Sequence, residues 1–321
     1  MVRFKILFFV SFLMLMMSCQ KDELGLVNES AEIEVRGGDK LVFPDGATNG
    51  EGNECDIEFP FLRVLFIGNS YTDNFTTDLP QMFEELVLAS GRSLDVVTSR
   101  ANNGWTLTQH YNSLQTQNII NQGGWDFVIL QENAGYLING NNATWNEFNQ
   151  AVSNLSSLIN VNSPQAQVKL FQLPSPFHHA SGTYGNTNAG WNSNFNQIAN
   201  LYQNVEVSPV YKSFDIAYTS GGTPGLGSNG NDLLRIASAS YHFDNAGGFL
   251  SAVTFFADIF QDKPCVPESM TFINGPGWVV DNVANMEELL QIGYYTGYGF
   301  TLREPSYADC TLYTLGNGPC D

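Results

Sequence analysis

From residue 61 onward the chain alternates between two hydrophobic patterns. Short apolar runs rich in β-branched and aromatic side chains fall at 64–67, 94–98, 127–130, 168–173 and 205–208. Runs of this length and type suit strands buried on both faces of a parallel sheet. Between them, apolar residues recur at helical spacing. Leu79, Met82, Phe83, Leu86 and Val87 share one face of a helix over 78–90, with Asp78 placed to cap it, Pro80 in its first turn and Gly91 to end it. Further helices are expected over about 106–121, 145–160, 190–203 and 246–261, and a last one over about 283–294. The helix over 145–160 carries Trp145, Phe148, Ala151, Val152, Leu155 and Ile159 on one face and stops before Pro164. Strands alternating with helices predict an α/β fold: a three-layer α/β/α sandwich around a central, mainly parallel sheet. About 200 residues of this kind bury a core without a partner.

The two ends read differently. Arg3 and Lys5 precede an apolar stretch from Ile6 to Met17, followed by Ser18 and Cys19. That is the layout of a secretory signal over 1–18, too short to span a bilayer. The Cys at the cleavage point, with Leu15 and Ser18, resembles a bacterial lipobox, although Met16 and Met17 are not its preferred residues. Cys19 is then the expected lipidation site. Gln20-Lys21-Asp22-Glu23 resembles the acidic signal that routes some bacterial lipoproteins to the outer face of the outer membrane. Residues 19–58 show no sustained period and read as a flexible tether, 59–262 as the domain, and 263–321 as an extension packed on it.

Composition narrows the function. The chain is 43% hydrophobic and only 14% charged, with a formal net charge of −19; without residues 1–18 it keeps 11 basic against 32 acidic side chains. Nucleic acid, which needs a basic face, is excluded as a partner, as is a polybasic membrane patch. Beside Cys19 stand Cys55, Cys265, Cys310 and Cys320, an even number for an oxidising compartment. Of the three pairings, Cys55–Cys265 with Cys310–Cys320 is favoured: it ties the tether to the domain and closes a short terminal loop.

The chemistry gathers at strand ends. Val64 to Ile67 run into Gly68-Asn69-Ser70, a sharp turn that leaves Ser70 where open α/β sheets bind their ligands. Gly104 follows the second strand in GWTLTQH, Asn133 follows the third in Gln-Glu-Asn, and His242 precedes the helix over 246–261. A Ser nucleophile needs a base, and neutral His suits that task near pH 7. The oxyanion needs fixed donors, which a Gly104 N–H and the Asn133 side-chain amide supply, with the Ser70 N–H as a third.

In order and type, these four blocks resemble the SGNH hydrolase superfamily, the GDSL-type esterases, over about residues 60–262. The wording GNSYT and GWTLTQH resembles a bacterial lipoprotein branch of it. The resemblance implies the three-layer, flavodoxin-like fold. It also implies catalytic roles for Ser70, Gly104, Asn133 and His242, no cofactor, and hydrolysis of small acyl esters, frequently acetyl groups on carbohydrate. One position departs. The family places an Asp three residues before its His, where this chain has Ala239. Asp244, Asp232, a backbone carbonyl or no group at all is then left to hold the imidazole.

Other features have plainer readings. His110 is expected to be a hydrogen-bonded structural histidine, with the rim of the site as its other place. Adjacent His178 and His179 diverge in extended chain and lack a nearby carboxylate cluster, so no metal is expected. Gly225-Leu226-Gly227-Ser228-Asn229-Gly230 spells a dinucleotide fingerprint but follows no strand, and reads as a loop. Two functions stand: an exported esterase acting on an acylated carbohydrate or small ester, and a glycan-binding surface lipoprotein on the same fold. Both are held to the membrane through Cys19.

Overall fold

Strand β1 (Leu62–Gly68) lies in the interior of the sheet, and its residues Val64 to Ile67 are fully buried. In the computed structural model the described residues are 61–73, 78–138, 141–174, 184–219, 234, 242–266 and 283–299. All described residues belong to one compact unit, Ile57–Asp321. The expected signal, Cys19, the tether, three further cysteines, His178, His179, the 225–230 loop, Asp232 and Ala239 lie outside them.

Four more strands pair in parallel with or beyond β1: β2 (Leu94–Ala101), β3 (Phe127–Leu130), β4 (Gln167–Phe171) and β5 (Val205–Ser208). Their order is β2-β1-β3-β4-β5. The chain steps from β1 to β2 in one direction and builds the rest in the other. The reversal opens a crevice at the carboxyl ends of β1 and β3, where such sheets bind ligands.

Two helical layers cover the sheet. Helices α1 (Leu79–Ala89), α7 (Val210–Thr219), α8 (Asn245–Phe260) and α9 (Val283–Gly297) pack with one another. The other layer holds α2 (Leu107–Tyr111), α3 (Leu114–Ile120), α4 (Ala134–Ile138), α5 (Asn142–Asn162) and α6 (Tyr184–Ala199). Phe66 of β1 meets Phe83 of α1 and Phe255 of α8 edge-on, both at 5.8 Å. Phe255 in turn meets Phe171 of β4 at 4.9 Å. These edge-to-face contacts fix α8 beneath β1 and β4.

The three-layer fold with its parallel sheet is as expected. So is the cap of α1, where the Asp78 carboxylate accepts from the Gln81 N–H. The helix expected over 106–121 is instead two. Ser113 starts the second by accepting from the Thr116 N–H, and the break has a use. Residues six apart on one continuous helix lie on different faces, roughly 9 Å apart along the axis, yet here His110 and Thr116 touch. Helices α4 and α7 were not expected. Cys265 is disulfide-bonded, and its partner lies outside the described residues, as all the other cysteines do.

One polar cluster joins sheet and helix. Lys169 of β4, nearly buried, donates to Asp258 of α8 at 3.1 Å and to Glu206 of β5 at 2.8 Å, and the Ser208 hydroxyl donates to Asp258. A buried cation stripped of its main partner is costly, whereas an apolar replacement of both partners is not. Asp258→Ala should therefore cost about 3 kcal/mol in urea unfolding. The double variant Lys169→Met/Asp258→Leu should stay within about 1 kcal/mol of wild type. Equal losses in the two variants would contradict this account of the cluster.

Candidate active site

The turn after β1 is held from every side. A side chain at Gly68 would place its Cβ 2.3 Å from Thr72 Oγ1 and 2.6 Å from Gln131 Oε1, so only glycine fits. The buried Gln131 carbonyl accepts from the Asn69 N–H at 2.7 Å and from the Thr72 hydroxyl at 3.1 Å. Asn69 accepts from the Tyr71 N–H and donates through Nδ2 to the Trp105 carbonyl at 3.0 Å. The turn closes on itself through the Thr72 N–H to Asn69 O bond at 2.8 Å. Ser70, half-buried, is thus presented at the crevice.

His110 clamps the same turn from below. Its ring is fully buried, and its Nε2 lies 2.7 Å from the Gly68 carbonyl. A carbonyl only accepts, so Nε2 carries the proton, and Nδ1 takes the Thr116 hydroxyl at 3.1 Å. Burial pushes its pKa down to about 4, partly offset by the Gly68 bond, with Arg100 lowering it further. This is the structural histidine the sequence led us to expect.

His242 stands across from Ser70. Its Nε2 is 2.7 Å from Ser70 Oγ. Its ring stacks on Tyr71 with centroids 5.0 Å apart and planes at 29°. The next residue, Phe243, is fully buried against Tyr71, Phe171 and Phe214 and pins the loop. Burial lowers the His242 pKa below its ordinary value. Among the described residues no carboxylate reaches its ring. Asp244 is engaged otherwise: its Oδ1 accepts from the Ala246 and Gly247 N–H groups as the N-cap of α8. It does not serve as the missing acid in this arrangement.

Gly104 and Asn133 also meet. Gly104 adopts φ +73°, a conformation that favours glycine, and Asn133 Nδ2 donates to its carbonyl at 2.7 Å. Gly104 is exposed, and its N–H has no acceptor among the described residues. Asn133 Oδ1 accepts from the Tyr136 N–H, which fixes the amide's orientation and leaves its second hydrogen for another acceptor. The Asn69 to Trp105 bond joins the two pairs, since these residues adjoin Ser70 and Gly104. Among the described residues no three His, Cys, Asp or Glu side chains cluster as metal ligands do.

Sequence reasoning passed over Asn69, Gln131 and Glu132. All three are buried polar residues directly after apolar strands, and that placement was the available signal.

No family model and no curated protein matches the chain. Solved structures similar to it include a protein from Slackia heliotrinireducens assigned to the SGNH hydrolases. The two are 20% identical with a TM-score of 0.44, over 60% of this chain and 96% of that one. A Clostridium thermocellum family 3 carbohydrate esterase is 19% identical with a TM-score of 0.43, over 63% and 98% of the two chains. A family 3 carbohydrate esterase from Talaromyces cellulolyticus is 12% identical with a TM-score of 0.40, over 60% and 92%. Chemistry at the site rests on its own geometry.

His110 has a measurable signature in stability. Its folded pKa lies below the ordinary 6.5 expected of the unfolded chain, so the unfolded state takes the proton first. The stability it contributes is complete above about pH 6.5 and is lost as the pH falls towards 4, by about 2 kcal/mol at pH 5. Glu132 acts in the opposite sense: burial raises its pKa from 4.5 to about 7, so its stability contribution falls as the pH rises through that window. The two slopes offset each other in the wild type. Urea unfolding of wild type and His110→Gln should therefore differ by about 2 kcal/mol more at pH 7.5 than at pH 5. A pH-independent difference would mean that His110 does not titrate in this way.

Proposed function

We propose that the protein is an exported serine ester hydrolase that removes small acyl groups, most simply acetyl, from carbohydrate. The carrying observation is the 2.7 Å contact between Ser70 Oγ and His242 Nε2 at the sheet's crevice. The Gly104–Asn133 pair, tied to the Ser70 turn through Asn69, supports it.

The chemistry follows from the atoms present. Ser70 donates its proton to His242 Nε2 as Oγ attacks the ester carbonyl carbon. The carbonyl oxygen becomes an oxyanion, accepting from the Gly104 N–H and the second Asn133 Nδ2 hydrogen. Collapse breaks the bond to the leaving oxygen, which takes the proton from His242. Water then attacks the acyl-serine with His242 again as base, the acyl–Oγ bond breaks as His242 returns that proton to Ser70 Oγ, and the carboxylic acid departs. For Nε2 to accept from Ser70, Nδ1 must hold the ring's own proton. Among the described residues no carboxylate lies beside His242, and on this reading it works with Ser70 as a dyad.

Partly exposed Trp105 and Tyr136, next to Gly104 and beyond Asn133, offer faces for a sugar ring and support the carbohydrate part. The disulfide at Cys265 supports an oxidising compartment, in keeping with export and with an anchor at Cys19. A second reading rests on the lack of a carboxylate on the His242 ring among the described residues: a lipoprotein that grips acylated glycans through the same crevice without turning them over.

Hydrolysis of p-nitrophenyl acetate and of acetylated sugars separates the two. Ser70→Ala and His242→Ala should each lose on the order of 10³-fold in kcat/KM. Turnover in wild type no greater than in Ser70→Ala, together with retained glycan binding, would favour the binding reading. Because burial alone shifts His242 downward, the ionisation of the base should fall below 6.5 in the pH profile of kcat/KM. A base ionisation well above that value would reveal an acidic partner on Nδ1.

A further inference from the structure

Between the two candidate oxyanion donors lies a carboxylate to which nothing above gives a task in catalysis. Glu132 is only 2% exposed. Its Oε1 accepts from the Asn133 N–H at 2.6 Å, and its Oε2 accepts from the Leu107 N–H at 3.2 Å. The first bond fixes the residue whose side chain faces Gly104. The second fixes the first turn of α2, three residues after Gly104 itself. One buried side chain therefore holds the loop after β2 and the loop after β3 at a set separation.

The donor set dictates the charge state. Two N–H groups need two acceptors, and an ionised carboxylate supplies one oxygen to each. Protonation makes one oxygen a hydroxyl, a weaker acceptor towards its N–H, and a Gln side chain puts there an NH2 group, which cannot accept at all. One buried N–H is then poorly paired in the first case and unpaired in the second. Thr106 caps α2 through the Gln109 N–H, so it does not relieve Leu107.

We propose that Glu132 is a positioning residue whose ionised carboxylate aligns the Gly104 and Asn133 donors, so that its protonation loosens them and slows turnover. This rests on the esterase reading for its effect on rate, though not for the geometry. Burial, opposed by the two N–H bonds, pushes its pKa up to about 7, and Glu147 of α5 adds to the rise. The other titratable groups nearby are Tyr136 of α4, which senses the Glu132 charge, and His110 of α2, which stays neutral. The switch therefore falls in the working pH range.

Two measurements on the full chain test it. The first is the pH dependence of the Leu107 and Asn133 amide proton shifts, read by NMR without any substrate. Both should move together with a midpoint near 7, and neither should do so in Glu132→Gln. Shifts that move at an ordinary glutamate pKa, or that move separately, would overturn the proposal. The second is the pH profile of p-nitrophenyl acetate hydrolysis. Wild-type kcat should show an ionisation near 7 above that of His242. Glu132→Gln should lose it, with kcat down roughly 10- to 100-fold and KM within about twofold. A Glu132→Gln enzyme with wild-type kcat and profile would overturn the proposal. Should Glu132→Gln fail to fold, the wild-type amide titration still decides. Should Ser70→Ala leave turnover intact, the esterase reading fails, while the amide titration judges Glu132 on its own.

Discussion

The site depends on a turn with no spare volume. Where β1 ends, the Gly68 backbone touches Thr72 and Gln131 so closely that a single methyl group is excluded. Its carbonyl is held by the His110 ring from one side and by the Asn102 N–H from another. A buried backbone segment of this kind must find partners for each polar group, and here the partners are themselves buried side chains. The position of Ser70 is thus inherited from packing several residues away. Parallel strands fully covered by helices make that possible, because the strand ends are the one place where side chains leave the core.

Charge is arranged with similar economy. His110, neutral and buried, donates where a charged ring would be costly. Glu132 accepts where a neutral amide would fall one acceptor short. His242 is held towards its neutral form by burial, and among the described residues no acid reaches its ring. Three titratable groups around one crevice are each shifted mainly by desolvation; for the two histidines this favours the neutral ring, whereas for Glu132 it works against the two N–H bonds that favour the carboxylate.

Much of this was legible in the sequence. The strands announced themselves as β-branched and aromatic runs, and the capping residue of α1 and the core face of α5 followed from spacing alone. The four residues Ser70, Gly104, Asn133 and His242 were found because each sits at a strand end or a helix start. Other features were hidden. The break between α2 and α3 allows a contact between His110 and Thr116, which periodicity does not record. Asn69, Gln131 and Glu132 read as ordinary turn residues, since their role comes from loops that are distant in sequence. The engagement of Asp244 as a helix cap likewise depends on where the backbone of α8 begins.

The stack of Tyr71 on His242 has a consequence for how the site meets its substrate. Ser70 and His242 lie 172 residues apart in sequence, yet their immediate neighbours Tyr71 and Phe243 press ring against ring. Thermal motion of one loop therefore carries the other with it, and the distance between oxygen and nitrogen is insulated from independent loop fluctuations. Alignment of the two side chains is then a property of the resting protein rather than something an arriving ligand must induce. On the esterase reading proposed above, binding energy from the rest of the substrate stays free to discriminate among acyl groups and the molecules that carry them.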